Sequence, residues 1–320
     1  MRTVIMVVLL SFIGAGVLSA QNVQEARVFP LFREKLLFIE GRVDNLKSRE
    51  GFSTRDRLRG LLSKFVASMP LDIYFNDGFH LPAQVSENGY FRATTPIRTG
   101  VNSLKIRSGD TVLFTHDFQI PSKVDFIMVS DIDDTVMLSE VTNKAKLVWN
   151  SLWKNFDKRS AIPGTPELYR RLATGESILG NPVIIYLTGS PAFMSKYLQG
   201  FFKKCEFPMG TIITKSSIKS SKQHDHKGEW LKHLTAIYPG KPFLLFGDSG
   251  EHDPEIYTTF AESCKAPVLG VIINHVKPTK ENNQKLERCR TRLNALKIPF
   301  LIWDKEKDLK AATEKAWFTN

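Results

Sequence analysis

The chain is expected to fold as an α/β protein, with a doubly wound parallel sheet preceded by a small antiparallel β-domain. Three observations carry this expectation. Short, partly alternating runs separated by tight turns fill the region before residue 121. Beyond it, apolar runs of strand length alternate with segments of helical spacing. Carboxylates and hydroxyls recur just after those later apolar runs, where open α/β sheets hold their ligands.

Residues 1–20 carry Arg2, an apolar run from Val4 to Ile13 and small residues ending in Leu18-Ser19-Ala20. This is the pattern of a secretory signal peptide cut near Ala20-Gln21, with an uncleaved anchor or a buried helix as alternatives. The run is short for a membrane span. No cysteine follows the cut, so a bacterial lipid anchor is not indicated. Export, to a periplasm or the medium, is the expectation.

A β-sandwich-like domain is expected over 34–121. Its strands are Leu36–Val43, Leu71–Phe75, Phe79–Val85, Tyr90–Thr95, Leu104–Arg107 and Val112–Ile120, punctuated by Asn76-Asp77-Gly78, Glu87-Asn88-Gly89 and Ser108-Gly109-Asp110. Such turns between alternating runs specify hairpins. Ser53 or Thr54 could cap one helix carrying Leu58, Leu61, Leu62, Phe65 and Val66.

The doubly wound α/β domain is expected over 122–320. Its strands are Val124–Val129, Val183–Leu187, Gly210–Thr214, Phe243–Phe246, Val268–Ile273 and Phe300–Trp303. The intervening helices are Pro166–Leu172, Ala192–Lys203, Gly228–Ile237, Pro254–Cys264 and Asn282–Leu296.

The formal charge is +11. A basic surface favours anionic partners: phosphate substrates, anionic lipid head groups or nucleic acid. The lysines and arginines are spread rather than massed, so nucleic acid is not expected. Cys205, Cys264 and Cys289 show no CxxC spacing, which argues against metal–thiolate chemistry. Core residues are the favoured reading of these thiols, over one disulfide and a free thiol.

The most informative stretch is Asp131-Ile132-Asp133-Asp134-Thr135, directly after the apolar run VDFIMV. At a strand end, this spacing can set a nucleophile and an acid/base around one phosphorus atom. Neighbouring carboxylates repel, so the arrangement needs a cation. Val183–Leu187 runs into Thr188-Gly189-Ser190, whose hydroxyls and backbone N–H groups suit phosphoryl oxygens. Phe243–Phe246 runs into Gly247-Asp248-Ser249-Gly250-Glu251-His252-Asp253, with acids suited to a hard cation. Each signal is common alone; their order is informative.

In that order the stretches DIDDT, YLTGS, a later lysine and GDSGEHD resemble the four motifs of the haloacid-dehalogenase-type phosphatase superfamily. More narrowly, SDIDDTV, IPGTPELYRRL, YLTGSP, HDHKGEW and FGDSGEHDPEIY are similar to the actin-patch-type phosphatidate phosphatase family. The resemblance implies a sheet of haloacid-dehalogenase type with a short cap, and Mg²⁺ as cofactor. It implies Asp131 as the nucleophile and Asp133 as the acid that later activates water. Mg²⁺ would be held by Asp131, the Asp133 carbonyl and Asp248, with Asp253 supporting the metal through other ligands or contacting the motif lysine. Thr188 would bind the transferred phosphoryl group, with Gly189 and Ser190 beside it. Thr135 orders the first loop or touches substrate. Lys227 is the candidate lysine, with Lys215 and Lys222 as rivals. His224, Asp225 and His226 are read as a polar loop rather than a second metal site.

Only a short insertion, Val136 to Ala161, separates the first two motifs, which leaves room for a bulky substrate. Leu147, Trp149, Trp153 and Phe156 lie there beside Lys144, Lys146, Lys154, Lys158 and Arg159, a composition that suits either an anionic membrane interface or packing on the catalytic domain. The resemblance thus implies hydrolysis of phosphatidate to diacylglycerol and phosphate. A phosphatase of another soluble or nucleic-acid phosphomonoester, and a non-catalytic module binding anionic lipid, are the alternatives.

Overall fold

The computed structural model describes residues 22–31, 35–44, 66–118, 120–138, 159–191, 194–215, 223–276 and 278–318. The expected signal peptide, the helix from Ser53 or Thr54 apart from Val66, the aromatic and lysine-rich part of the insertion, and Lys222 lie outside these residues. No described helix is long and apolar enough to cross a membrane.

Six strands build one parallel sheet: β8 (Phe126–Ser130), β9 (Pro182–Pro191), β10 (Thr211–Lys215), β11 (Phe243–Asp248), β12 (Val268–Asn274) and β13 (Phe300–Trp303). Their order is β10-β9-β8-β11-β12-β13, and every neighbouring pair is parallel. These strands read as near-continuous apolar runs because both faces are covered. Phe126, Met128, Tyr186, Leu244 and Phe246 pack against helices α1 (Thr165–Ala173) and α2 (Ser195–Lys204), with Leu309 of α6 (Glu306–Thr313) in the same core. Ile127, Val129, Ile185, Leu187 and Leu245 face the other way. They meet α3 (Gln223–Ile237), α4 (Asp253–Ser263) and α5 (Lys280–Ala295).

The chain leaves β8 toward β9 and β10, then returns to β11 on the other side of β8. The crevice beyond β8 and β11 is therefore a topological switch point, the place where such sheets bind ligands. Ser130 pairs with Phe246, so β11 continues past the end of β8 and carries Asp248 beyond it.

Ahead of this sheet stand two antiparallel sheets. One joins β1 (Asn22–Leu31), β2 (Leu36–Asp44) and β5 (Tyr90–Pro96). The other joins β4 (His80–Gln84), β3 (Pro70–Phe75), β6 (Ser103–Ser108) and β7 (Thr111–Asp117). They share a core that includes Leu37, Ile39, Leu71, Ile73, Phe91, Leu104 and Ile106. β1 was not among the expected strands. Pro30 and the charged Glu25 and Arg27 interrupt its alternation, and Pro30 is tolerated because β1 is an edge strand. Its Phe29 reaches the core of the parallel sheet, beside Trp230 of α3. Cys205, Cys264 and Cys289 are all free thiols.

Candidate active site

Asp131 follows β8 directly, and its N–H donates to the Phe246 carbonyl of β11 at 2.9 Å. The loop then closes on itself. Val136 and Met137 both donate N–H to the Ile132 carbonyl at 3.0 Å, and Asp134 takes a left-handed φ of 55°, which a short polar side chain tolerates. Asn274 of β12 holds the Asp134 carbonyl at 2.8 Å. Ser130, whose hydroxyl lies 2.8 Å from that of Tyr169 on α1, ties the strand end to the helix layer. A rigid frame thus fixes the Asp131 and Asp133 side chains.

Around them the structure gathers residues from three strand ends and two helices. Oδ1 of Asp131 lies 2.7 Å from Nζ of Lys227 in α3, and Oδ2 accepts from Thr135 at 3.2 Å. The same Nζ donates to Oδ1 of Asp253 at the start of α4. Asp248 ends β11; its Oδ1 accepts from the Gly250 N–H at 2.6 Å and the Glu251 N–H at 3.2 Å, while Oδ2 is buried without a partner. Oxygens of Asp131, Asp248 and Asp253 all lie within 4.8 Å of one another. On the far side Ser190 donates to Oδ2 of Asp133 at 3.3 Å, and its own N–H donates to Oγ1 of Thr188 at 3.0 Å. Gly189 lies between them in β9.

All the motif carboxylates are thus brought to one crevice. Among the described residues, Lys227 is the lysine whose ammonium touches Asp131. Of the two roles open to Asp253, the contact with Lys227 is made, and its Oδ2 also accepts from the Asp248 N–H at 3.4 Å. Thr135 orders the loop through Asp131. Sequence reasoning passed over Glu251, whose carboxylate lies 3.7 Å from Lys227, although it stands inside the GDSGEHD stretch. It also passed over Lys285, whose ammonium donates to the Ser249 and Glu251 carbonyls at 2.8 and 2.7 Å. A lysine in a long polar helix carries no signal of that contact.

Negative charge outweighs positive in this crevice. Burial, and after it the neighbouring Asp253, Glu251 and Asp248, push the Asp131 carboxyl upward against the pull of Lys227. Asp248 is pushed up in the same way, by burial and Asp253. Burial also works against the charge on Lys227, but Asp131 and Asp253 outweigh it and hold the ammonium firmly protonated. Asp133 is raised to about 6, chiefly by burial and then by Glu251 and Asp134. A carboxyl near that value can give a proton and take one back around neutrality.

Crowded buried oxygens with one orphaned carboxylate atom suit a small hard cation, which takes oxygen ligands and offsets their repulsion. Asp248 is the best placed ligand, because its Oδ2 has no partner, whereas both oxygens of Asp131 and of Asp253 are already engaged within the protein.

Residues 126–275 match the model of the catalytic domain of phosphatidate phosphatase APP1. The chain is also similar to the Saccharomyces cerevisiae phosphatidate phosphatase APP1, with 29% identity over 153 residues. That stretch is 46% of this chain and 25% of the yeast protein, so the chain spans about a quarter of that relative's length. Every motif residue discussed above falls within the matched segment. Over residues 126–275 the chain is thus similar to the catalytic domain of APP1-type phosphatidate phosphatases.

Proposed function

We propose that the protein is a Mg²⁺-dependent phosphatidate phosphatase of haloacid-dehalogenase type, releasing diacylglycerol and phosphate through an aspartyl-phosphate. The observation that carries this reading is the Asp131–Lys227 pair, sealed from water and flanked by the orphaned oxygen of Asp248.

Asp131 attacks phosphorus while the bond to the glyceryl oxygen breaks, and Asp133 protonates that oxygen as it leaves. Asp133, now ionised, takes a proton from water, whose oxygen displaces Asp131 from phosphorus and releases inorganic phosphate. Thr188, with Gly189 and Ser190, holds phosphoryl oxygens, and Lys227 neutralises charge that gathers on them. Asp131, the Asp133 carbonyl and Asp248, with support from Asp253, would hold Mg²⁺, which when bound would supply Lewis-acid charge stabilisation at the phosphoryl group. The same reading has the protein exported after loss of residues 1–20 and resting on an anionic membrane surface through 136–161.

The test is phosphate release from phosphatidate in mixed micelles and from soluble phosphomonoesters, with Mg²⁺ and with EDTA, for wild type and Asp131→Asn. Metal-dependent release from phosphatidate, lost in Asp131→Asn, is the expected result. Release from soluble esters alone would assign another substrate. No release from any phosphoester by folded wild-type protein would leave a lipid-binding module.

A further inference from the structure

Arg159 is a buried cation that the phosphoryl-transfer roles above do not use, and its burial removes it from the basic interfacial stretch in which the sequence placed it. It is 4% exposed and lies where a short ribbon closes beside the Asp131–Thr135 loop. In that ribbon Leu138 N–H donates to the Ser160 carbonyl at 3.0 Å, and Ile162 N–H to the Val136 carbonyl at 2.9 Å. Met137 forms bridges with both Asp133 and Ala161, so the register carries Arg159 next to the strand that holds Asp133.

The Arg159 guanidinium offers five N–H donors. Its Nη1 donates to the Leu138 carbonyl at 2.8 Å. Among the described residues no carboxylate comes within the 4.0 Å of an ion pair with it. A buried charge without an anion is unfavourable, so this one is held in place for another purpose or another partner. Its field reaches Asp133, where it opposes the upward push of burial. Asp133, for its part, accepts from Ser190 on Oδ2 and leaves Oδ1 buried without a partner. Two buried groups of opposite sign stay apart, each with unused hydrogen-bonding capacity.

We propose that Arg159 is a substrate-binding residue, its guanidinium taking an anionic oxygen of the phosphoryl group on the Asp133 side of the crevice. This rests on the function proposed above. A phosphomonoester presents three terminal oxygens. Lys227 touches Asp131, whereas Ser190 at the end of β9 touches Asp133. Arg159 supplies the donor for the oxygen that neither reaches, close to where the leaving oxygen receives its proton. The planar fork of a guanidinium suits this task, since it grips a phosphoryl group at two points.

Inorganic phosphate is the probe, because it carries the phosphoryl oxygens and no acyl chain. Its affinity for the Mg²⁺-loaded full chain is measured by calorimetry for wild type, Arg159→Lys and Arg159→Gln, with melting temperatures in parallel. Arg159→Gln is expected to weaken binding on the order of ten-fold, the effect of losing a charge-assisted hydrogen bond. Arg159→Lys should lose less, and KM for a soluble phosphomonoester should rise more than kcat falls. Phosphate affinity within two-fold of wild type in Arg159→Gln, with only the melting temperature lowered, overturns the proposal and makes the side chain a prop for the ribbon. If Arg159→Gln does not fold, the side-chain Nε–H resonance of Arg159 in wild type decides. It should shift as phosphate saturates the site, and invariance overturns the proposal. Wild type that turns over substrate while these tests fail removes Arg159 alone; wild type inert toward every phosphomonoester removes the functional reading beneath it.

Discussion

Nζ of Lys227 stands 2.7 Å from Oδ1 of Asp131, with both side chains almost sealed from water. The two residues arrive from different elements, one from the loop after β8 and one from α3, and neither charge has another route to solvent. Their variants should therefore affect stability in opposite senses. Lys227→Met leaves Asp131 and Asp253 buried without their cation and should cost about 3 kcal/mol. Asp131→Asn removes one of several crowded carboxylates while Lys227 keeps Asp253, so the urea midpoint should hold or rise. Both variants should lose phosphate release. Equal falls in the midpoint would show that the pair is not what balances charge in the crevice.

Metal removal should separate Asp248 from its loop. Oδ1 of Asp248 organises the Gly250 and Glu251 N–H groups, and Oδ2 is the orphaned atom. Asp248→Asn can keep the first contact and point an NH₂ group at the cation. Mg²⁺ should raise the melting temperature of wild type by mass action, and EDTA should reverse the rise. In Asp248→Asn that response should vanish, with kcat/KM falling more than about 100-fold. A full Mg²⁺ response in the variant would move the cation elsewhere.

The parallel sheet was legible because its strands are buried on both faces and read as apolar runs such as VDFIMV and FLLF, each ending in a polar turn. Their order around β8 follows from alternation of strand and helix, so the gathering of Asp131, Thr188 and Asp248 was legible with it. β1 was hidden by Pro30 and by charges that find partners only after folding, as when Arg27 bonds Glu40 at 2.8 Å and lies over Trp230. Lys227 could not be separated from Lys215 and Lys222, because helix register decides which ammonium reaches Asp131. Arg159 was read only as part of a basic stretch, and Lys285 not at all, for a similar reason: their hydrogen bonds go to backbone carbonyls, which carry no mark of residue type.

Two glycines near the site should respond oppositely to alanine. A Cβ on Gly247 would meet the Cβ and Oδ2 of Asp253, each at 2.6 Å, and the Tyr257 ring at 2.8 Å. Gly247→Ala should cost about 1–3 kcal/mol through overpacking and displace Asp253 from Lys227, lowering activity as well. A Cβ on Gly228, in α3 beside Lys227, would meet nothing within 4 Å. Gly228→Ala should add up to about 1 kcal/mol by its helix preference. Thermal melts and phosphate release of the two variants check both signs; a destabilised Gly228→Ala would mean that α3 is held in a way the packing does not reveal.

His116 should make the acid side of the stability curve steeper. It is buried on β7 between the rings of Phe114 and Phe118, and Nε2 of Gln199 in α2 lies 2.9 Å from its Nδ1. An amide that donates to Nδ1 requires the neutral ring. Burial lowers the His116 pKa from 6.5 to about 4, with Asp117 opposing weakly. The folded value lies below the unfolded one, so between these values the unfolded chain binds the extra proton. Stability is thus unaffected by His116 above pH 6.5 and falls as pH drops toward 4, by about 3 kcal/mol in all. His116→Phe keeps an aromatic ring in the stack and removes the titration. Urea midpoints of wild type and His116→Phe should converge as pH falls through this window, or the variant should overtake. Parallel curves would mean that His116 is protonated in the fold and that Gln199 meets it with its oxygen instead.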